Sequence, residues 1–333
     1  MAGVHGRMPV MRWTLLLLTT FLQTPALIPA EAPVEIAPGI HLIRAAPMPG
    51  RGPDGNTVIF DAPDGLVVVD TGRHTTQTDA ILAFARDRKR PIAAIINTHW
   101  HLDHSSGNGR LKAAFPEARV YTTNAIDKVL APGGFLARNL ESTRKVVAGA
   151  TDPVRREEMQ IFIDTMAAGH NLKPDVPVTR SGSITLAGRS IDARVTDRAV
   201  SDADVWLFDA PSKIAVIGDL VTVPVPFFET ACPDRWKASL DEVWATPFET
   251  AIPGHGGPMT RAQFDVYRQA FGAFVSCVRS ETAPAQCARG WASGVATLIG
   301  DDPGRHKAAA ANAEYYVGYL RGNGGKAPDC TAR

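Results

Sequence analysis

Apolar positions along the chain follow two rhythms, one of strands and one of helices. The runs NTVIF (Asn56 to Phe60) and LVVVD (Leu66 to Asp70) flank the turn signal DAPDG, which predicts a β-hairpin. TTQTDAILAFARDRKR follows with threonines as caps, an early acid and a basic end, the charge order that a helix dipole favours. IAAIINTH then reads as a buried strand whose end carries His99. From Ala125 to Pro174 the pattern turns helical and more polar. There TDPVRREEMQIFIDTMAAG opens on Thr151 as a cap with a proline in the first turn, and predicts an inserted helical flap. Strands resume in SITLAGRSIDARVT and DVWLFDAPSKIAVIGDLV, each with a turn signal in its middle, and end at FETAIPGHG. Beyond Pro258, Phe264, Tyr267, Phe271 and Phe274 recur at three- and four-residue steps, a stripe expected to pack into a core. Ala308 to Arg321 predicts another helix. Two strand-rich halves with helices between and after them place the chain in the α/β class.

Composition changes this picture little, and charge narrows the partners. The 333 residues exceed the usual ~100–200 per domain, so one large domain with additions is expected. A formal net charge of +1 provides no field toward nucleic acid or anionic lipid, which leaves a small-molecule substrate as the expected partner. Oligomeric state is not readable from the chain.

The N-terminus predicts export. Arg7 and Arg12 precede the apolar run WTLLLLTTFL, and small residues follow in IPAEA, so residues 1–32 read as a signal peptide cleaved near Ala30 or Ala32. The run is shorter than the ~20 apolar residues that span a bilayer, so no stable membrane insertion is expected after cleavage. A periplasmic or secreted location lets disulfides persist. Cys232, Cys277, Cys287 and Cys330 allow three connectivities, of which 277–287 with 232–330 is favoured by the short connection VRSETAPAQ. A zinc-thiolate site competes poorly, because no CxxC spacing occurs.

The chemistry concentrates in NTHWHLDHSSGN, where His99, His101, Asp103 and His104 fall within six consecutive positions. Imidazole and carboxylate at the end of a strand suit zinc, which takes both at ~2.0–2.2 Å and in catalytic sites keeps a position for water. A lone histidine such as His74 is expected to be ordinary surface, and Trp100 is expected to face away from the metal and pack on the sandwich. The run Arg86 to Arg90 reads as a solvated helix end.

HWHLDH resembles the HxHxDH signature of the metallo-β-lactamase superfamily, and further motifs occur in the family's order: VVVDTG with Asp70, VIGDL with Asp219, and IPGHG with His255. The resemblance spans roughly Val34 to Met259. It implies an αββα four-layer sandwich of two mixed β-sheets flanked by helices, with a helical insertion at about 125–174. It assigns 33–260 to that domain and 261–333 to a C-terminal helical extension. It implies metal ligands His99, His101, Asp103, His104, Asp219 and His255, with Asp70 orienting the metal loop. The family's further first-site histidine lies in a segment like AVSDAD, where Val200 stands and offers no donor. Asp202, Asp197 and His170 are the candidate surrogates.

A single zinc held by Asp103, His104, His255 and Asp219 is therefore the leading expectation, two zinc ions the alternative, and iron suits the same donors. His99, His101 and Asp103 are the expected catalytic residues. The implied function is an exported zinc-dependent hydrolase of an ester, lactone, thioester or amide, in which zinc makes water acidic enough to supply hydroxide near neutral pH. A β-lactamase proper is not favoured. A catalytically impaired metal- or ligand-binding protein of the same fold is the second reading.

Overall fold

Two sheets meet face to face through the apolar side chains of their inner faces. The computed structural model describes residues 27–330 except Pro47 and Pro49; the predicted signal lies outside the described residues up to position 26. The first sheet runs in chain order through β1 (Val34–Ala37), β2 (Ile40–Ile43), β3 (Thr57–Ala62), β4 (Gly65–Val69), β5 (Ile92–Ile96), β6 (Arg119–Thr122) and β7 (Val176–Pro177). The second is ordered β13 (Met259–Thr260), β12 (Thr250–Pro253), β11 (Ile214–Gly218), β10 (Ala203–Asp209), β9 (Arg189–Asp197) and β8 (Gly182–Leu186). Both are mixed: β4, β5, β6 and β7 pair in parallel, as do β11 and β12, and the other pairs are antiparallel.

The predicted hairpin β3–β4 is present, with Val58 opposite Val69 and Phe60 opposite Val67. These four face the second sheet, where Leu207, Val216 and Ile252 meet them. Ile59, Leu66 and Val68 point the other way, onto α1 (Thr75–Arg88). Burial on both faces explains why LVVVD is a continuous apolar run. After β5 come α2 (Leu102–Ser105), which carries part of the donor cluster, and α3 (Asn108–Ala114), which joins α1 on the outer face of the first sheet.

The insertion comprises α4 (Ala125–Leu130), α5 (Phe135–Val146) and α6 (Pro153–Ala167). In the second half α7 (Pro233–Ala245) lies between β11 and β12, and β13 is followed by α8 (Arg261–Val278), α9 (Pro284–Gly294), α10 (Ala296–Ile299) and α11 (Pro303–Gly322). The aromatic stripe of α8 packs as expected, joining Trp206 and Phe208 of β10, Trp236 of α7, Trp291 of α9 and Val317 of α11 in one core. The four layers are those the sequence resemblance implies. Both disulfides also follow the favoured pairing, Cys232–Cys330 and Cys277–Cys287. No helix among the described residues is long and apolar enough to cross a membrane.

Local expectations fail in three places. β5 ends at Ile96, short of His99, because the Thr98 N–H leaves the ladder to donate to Asp70 Oδ1 at 2.8 Å. α6 is capped by Asp152, whose carboxylate accepts from Val154 N at 2.9 Å, so Thr151 is not the cap. The threonines opening α1 do not cap it: His74 holds the cap position without a side-chain cap bond, and no acid stands in the first turn.

Candidate metal centre

The donor side chains gather at the carboxyl ends of β5, β11 and β12. His99 and His101 lie on the loop after β5, Asp103 and His104 on α2, Asp219 directly after β11, and His255 on the turn after β12. Two groups result, Asp103/His104/Asp219/His255 and His99/His101/Asp219, and the donor atoms within each lie within 4.8 Å of one another. Asp219 belongs to both.

Every imidazole of the metal loop is oriented from behind. His104 Nδ1 lies 2.8 Å from Asp70 Oδ2 and donates to it, which turns Nε2 to the cluster. The Thr98 hydroxyl donates to the same oxygen at 2.8 Å, so it accepts from His99 Nδ1 at 3.0 Å and leaves His99 Nε2 facing inward. Thr230 Oγ1 donates to Val200 O at 2.8 Å and therefore accepts from His101 Nε2 at 2.9 Å, leaving Nδ1 of His101 for the cluster. Such outer partners fix the tautomer and basicity of metal-binding histidines. Asp70→Asn, which replaces one of the two carboxylate oxygens that accept from Thr98 and His104 by an NH2 donor and removes the charge, is expected to weaken zinc binding ~10- to 100-fold, read by competition with a chromogenic chelator.

The backbone is equally committed. His104 O accepts from Thr71 N at 2.7 Å and Asn97 Nδ2 at 2.9 Å, and Asp103 O accepts from Gly55 N at 2.8 Å. Asn56 Nδ2 donates to Pro253 O at 3.0 Å and Gly256 O at 2.8 Å, which fixes the turn bearing His255. Only glycine fits at position 254, since a Cβ there would overlap Asp219 Oδ1 and come 3.0 Å from His104 Cε1.

The donor set fits a cation. His104 Nε2 and Asp219 Oδ1 lie 3.2 Å apart, His255 Nε2 lies 3.0 Å from Asp103 Oδ2, and His99 Nε2 lies 3.8 Å from Asp219 Oδ2. His99 Nε2, His104 Nε2 and Asp219 Oδ1 are buried without a hydrogen-bond partner, which is costly unless another charge completes them. Charge balance among the side chains makes the same point. Burial opposes a charge on His255 and His104, but Asp219 and Asp103 outweigh it, raising His255 to about 10 and His104 well above its usual range. Burial also opposes the charge on Asp219, yet His255 and His104 hold it well below the usual carboxylate range. Two carboxylates thus collect two positive charges, the service a divalent cation performs when it displaces protons from its ligands. Burial pushes His101 down to about 4, and burial with the neighbouring imidazoles holds His99 well below its usual value.

The segment opposite the expected first-site histidine is closed by hydrogen bonds. Asp204 accepts from the backbone N–H of Val200 at 3.0 Å and of Ser201 at 3.1 Å, and from the Ser201 hydroxyl at 2.8 Å. Burial raises this carboxyl to about 7 against those bonds. Val200 is buried and belongs to the core beneath the C-terminal helices. The candidate surrogates are not brought to the cluster: Asp202 pairs with Lys128 at 2.7 Å, Asp197 with Arg198 at 3.1 Å, and His170 joins neither donor group.

Two expectations near the site are corrected. His74 is not surface but buried, with Nδ1 2.8 Å from Asp54 Oδ2 and Nε2 2.9 Å from Glu158 Oε1. Burial opposes its charge, but the bonds to Asp54 and Glu158 prevail and raise it to about 9. Arg51 meets Glu157 at 2.7 Å and Glu158 at 3.0 Å, so α6 of the flap is tied to the rim of the cleft. Trp100 packs on the flap rather than the sandwich, 5.7 Å from the ring of Phe135, and stands edge-on to His101 at 4.5 Å. Thr230, Asp54 and Arg73, which lines the cavity in front of the cluster, went unseen in the sequence; their partners are remote, and no local pattern marks them.

The family model of the metallo-beta-lactamase superfamily matches residues 50–255, more than half of the chain. The chain belongs to this superfamily. Among curated members, a linear primary-alkylsulfatase of Pseudomonas sp. is 26% identical over 222 residues, covering 61% of this chain and 41% of that protein. The chain spans less than half the length of the curated relatives it matches. In fold it is similar to a stereoselective inverting sec-alkylsulfatase of Pseudomonas sp., with TM-score 0.59 at 15% identity over 87% of this chain and 50% of the other. A metallo-beta-lactamase family protein of Thermus thermophilus gives TM-score 0.58 at 16% identity over 87% and 95%. The curated relatives include the linear primary-alkylsulfatase and, over 57 residues at 40% identity, a hydroxyacylglutathione hydrolase of Synechococcus sp..

Proposed function

We propose that the chain is an exported, zinc-dependent hydrolase of an ester, lactone, thioester or amide bond. Asp103, His104, His255 and Asp219 would hold one zinc. The observation that carries this reading is the convergence of those four donors, with buried atoms of His104 and Asp219 that lack a hydrogen-bond partner. Zinc held there would supply Lewis acidity and make a nearby water easier to deprotonate.

The chain's own residues do the rest. His99 Nε2, next to Asp219 and free of other partners, is placed to take a proton from the attacking water. His101, locked by Thr230, faces the same cleft and contacts substrate. Trp100, Phe135 and Phe162 exclude bulk water on the flap side. The two disulfides accord with export.

Elemental mass spectrometry on the mature chain, after dialysis against metal-free buffer, is expected to give about one zinc per chain. Hydrolysis of an activated ester is expected to stop with a chelator and return with zinc. Absence of zinc would overturn the proposal. One observation favours a second reading, an impaired binding protein: His99, His101 and Asp219 gather no fourth donor among the described residues. Bound zinc with no turnover across esters, thioesters, lactones and amides would establish it.

A further inference from the structure

One guanidinium in the cavity facing the donor cluster makes no close ion pair or side-chain hydrogen bond among the described residues and acts on the Asp103 carboxylate only at longer range. The cavity has a volume of about 500 Å³ and is lined by four aromatic rings: Trp100 beside the donors, Phe135 and Phe162 from the flap, and Phe227 from the segment after β11. Arg73 lines it next to Asp103 and His255. Its Nε is buried without a hydrogen-bond partner, and no ion pair or side-chain hydrogen bond involves its guanidinium among the described residues. The placement is built rather than incidental. The Arg73 and His74 peptide N–H groups both donate to Asp54 Oδ1, and Asp54 also holds the His74 ring against Glu158 of α6. Gly52 leaves the space the guanidinium occupies, since a Cβ there would overlap it.

A partly buried guanidinium without a hydrogen-bond partner is unfavourable, and its planar fork suits an oxyanion presented by a ligand. The other polar groups lining the cavity outside the donor set are Asn139, Thr222 and Glu229, and Glu229 accepts from the Tyr315 hydroxyl at 3.3 Å. We propose that this cavity selects amphiphilic anions: an oxyanion group seated on Arg73 beside the donor cluster, with an apolar chain or ring between Trp100, Phe135, Phe162 and Phe227. The proposal rests on the hydrolase reading for the reaction, but not for binding, and it makes Arg73 a specificity-determining residue.

Binding of octanoate, octane-1-sulfonate and 1-octanol to the mature zinc-loaded chain, by titration calorimetry, separates the two readings, because none of the three has a bond to hydrolyse. Both anions are expected to bind roughly 10- to 100-fold more tightly than octanol, the range for a charge-assisted hydrogen bond. Comparing carboxylate with sulfonate identifies the preferred oxyanion. Arg73→Gln is expected to erase the preference, and Arg73→Lys to retain part of it. Phe162→Ser is expected to weaken all three probes roughly tenfold through lost apolar burial, with circular dichroism verifying the fold. Octanol binding as tightly as the anions, or a preference that survives Arg73→Gln, overturns the proposal. Failure of all three probes to bind also overturns it while leaving the zinc and turnover measurements to stand. Selective anion binding by a chain without turnover upholds it and removes the hydrolase reading instead.

Discussion

His255→Ala is expected to strip the chain of zinc, from about one equivalent to about a tenth or less after dialysis, because it removes one of only two nitrogen donors of the site and leaves His104 as the only imidazole beside two carboxylates. His255 is the donor that joins the two halves of the cluster. Its Nε2 lies 3.0 Å from Asp103 Oδ2 and 3.4 Å from Asp219 Oδ1, so it bridges a carboxylate from the metal loop and one from the second sheet. The alanine variant leaves those carboxylates facing each other with only His104 between them. Hydrolysis should fall with the metal, and excess zinc in the assay should restore only part of it. The turn that bears His255 is held by Asn56 through backbone atoms, so the fold should survive and circular dichroism should be unchanged. Zinc retained at the wild-type level in a folded variant would sink the ligand set.

The same cluster shows what a sequence can and cannot display. His99, His101, Asp103 and His104 were visible because their spacing is local and dense, and the β-hairpins because their apolar runs are broken by turn residues. Asp219 and His255 needed the family's motif order, since single residues after two strands carry no pattern of their own. What stayed hidden depends on contacts across the chain. The partners of His74 lie 20 and 84 positions away, so a histidine that reads as surface becomes the buried link between rim and flap. Thr230 reaches His101 across 129 positions. Trp100 was misplaced for a related reason: alternation along a strand gave its direction, but the strand had already ended at Ile96. That Arg73 lacks a close ion pair could not be recognised until every carboxylate around it had been placed.

Val200→His is expected to raise zinc from about one to about two per chain, at a stability cost of about 1–3 kcal/mol for a larger, polar side chain in a packed core. The first group offers His99, His101 and Asp219, each already oriented by Thr98, Thr230 or its place after β11, so a single further nitrogen completes a site of four donors. The carbonyl of Val200 lies one hydroxyl away from His101, through Thr230, which puts the substituted residue against this group. Asp204 holds the segment by backbone N–H groups of residues 199 to 201, bonds the substitution leaves intact. The opposing force is burial: Val200 is 1% exposed and packs in the core, so the imidazole gains a partner only by meeting a metal. The thermal midpoint of the variant should therefore fall in chelator and recover with added zinc by more than that of the wild type. A folded variant that still binds one zinc would mean that the packing at Val200 turns this position away from His99 and His101, and that the single-metal arrangement is enforced by the core as well as by the missing donor.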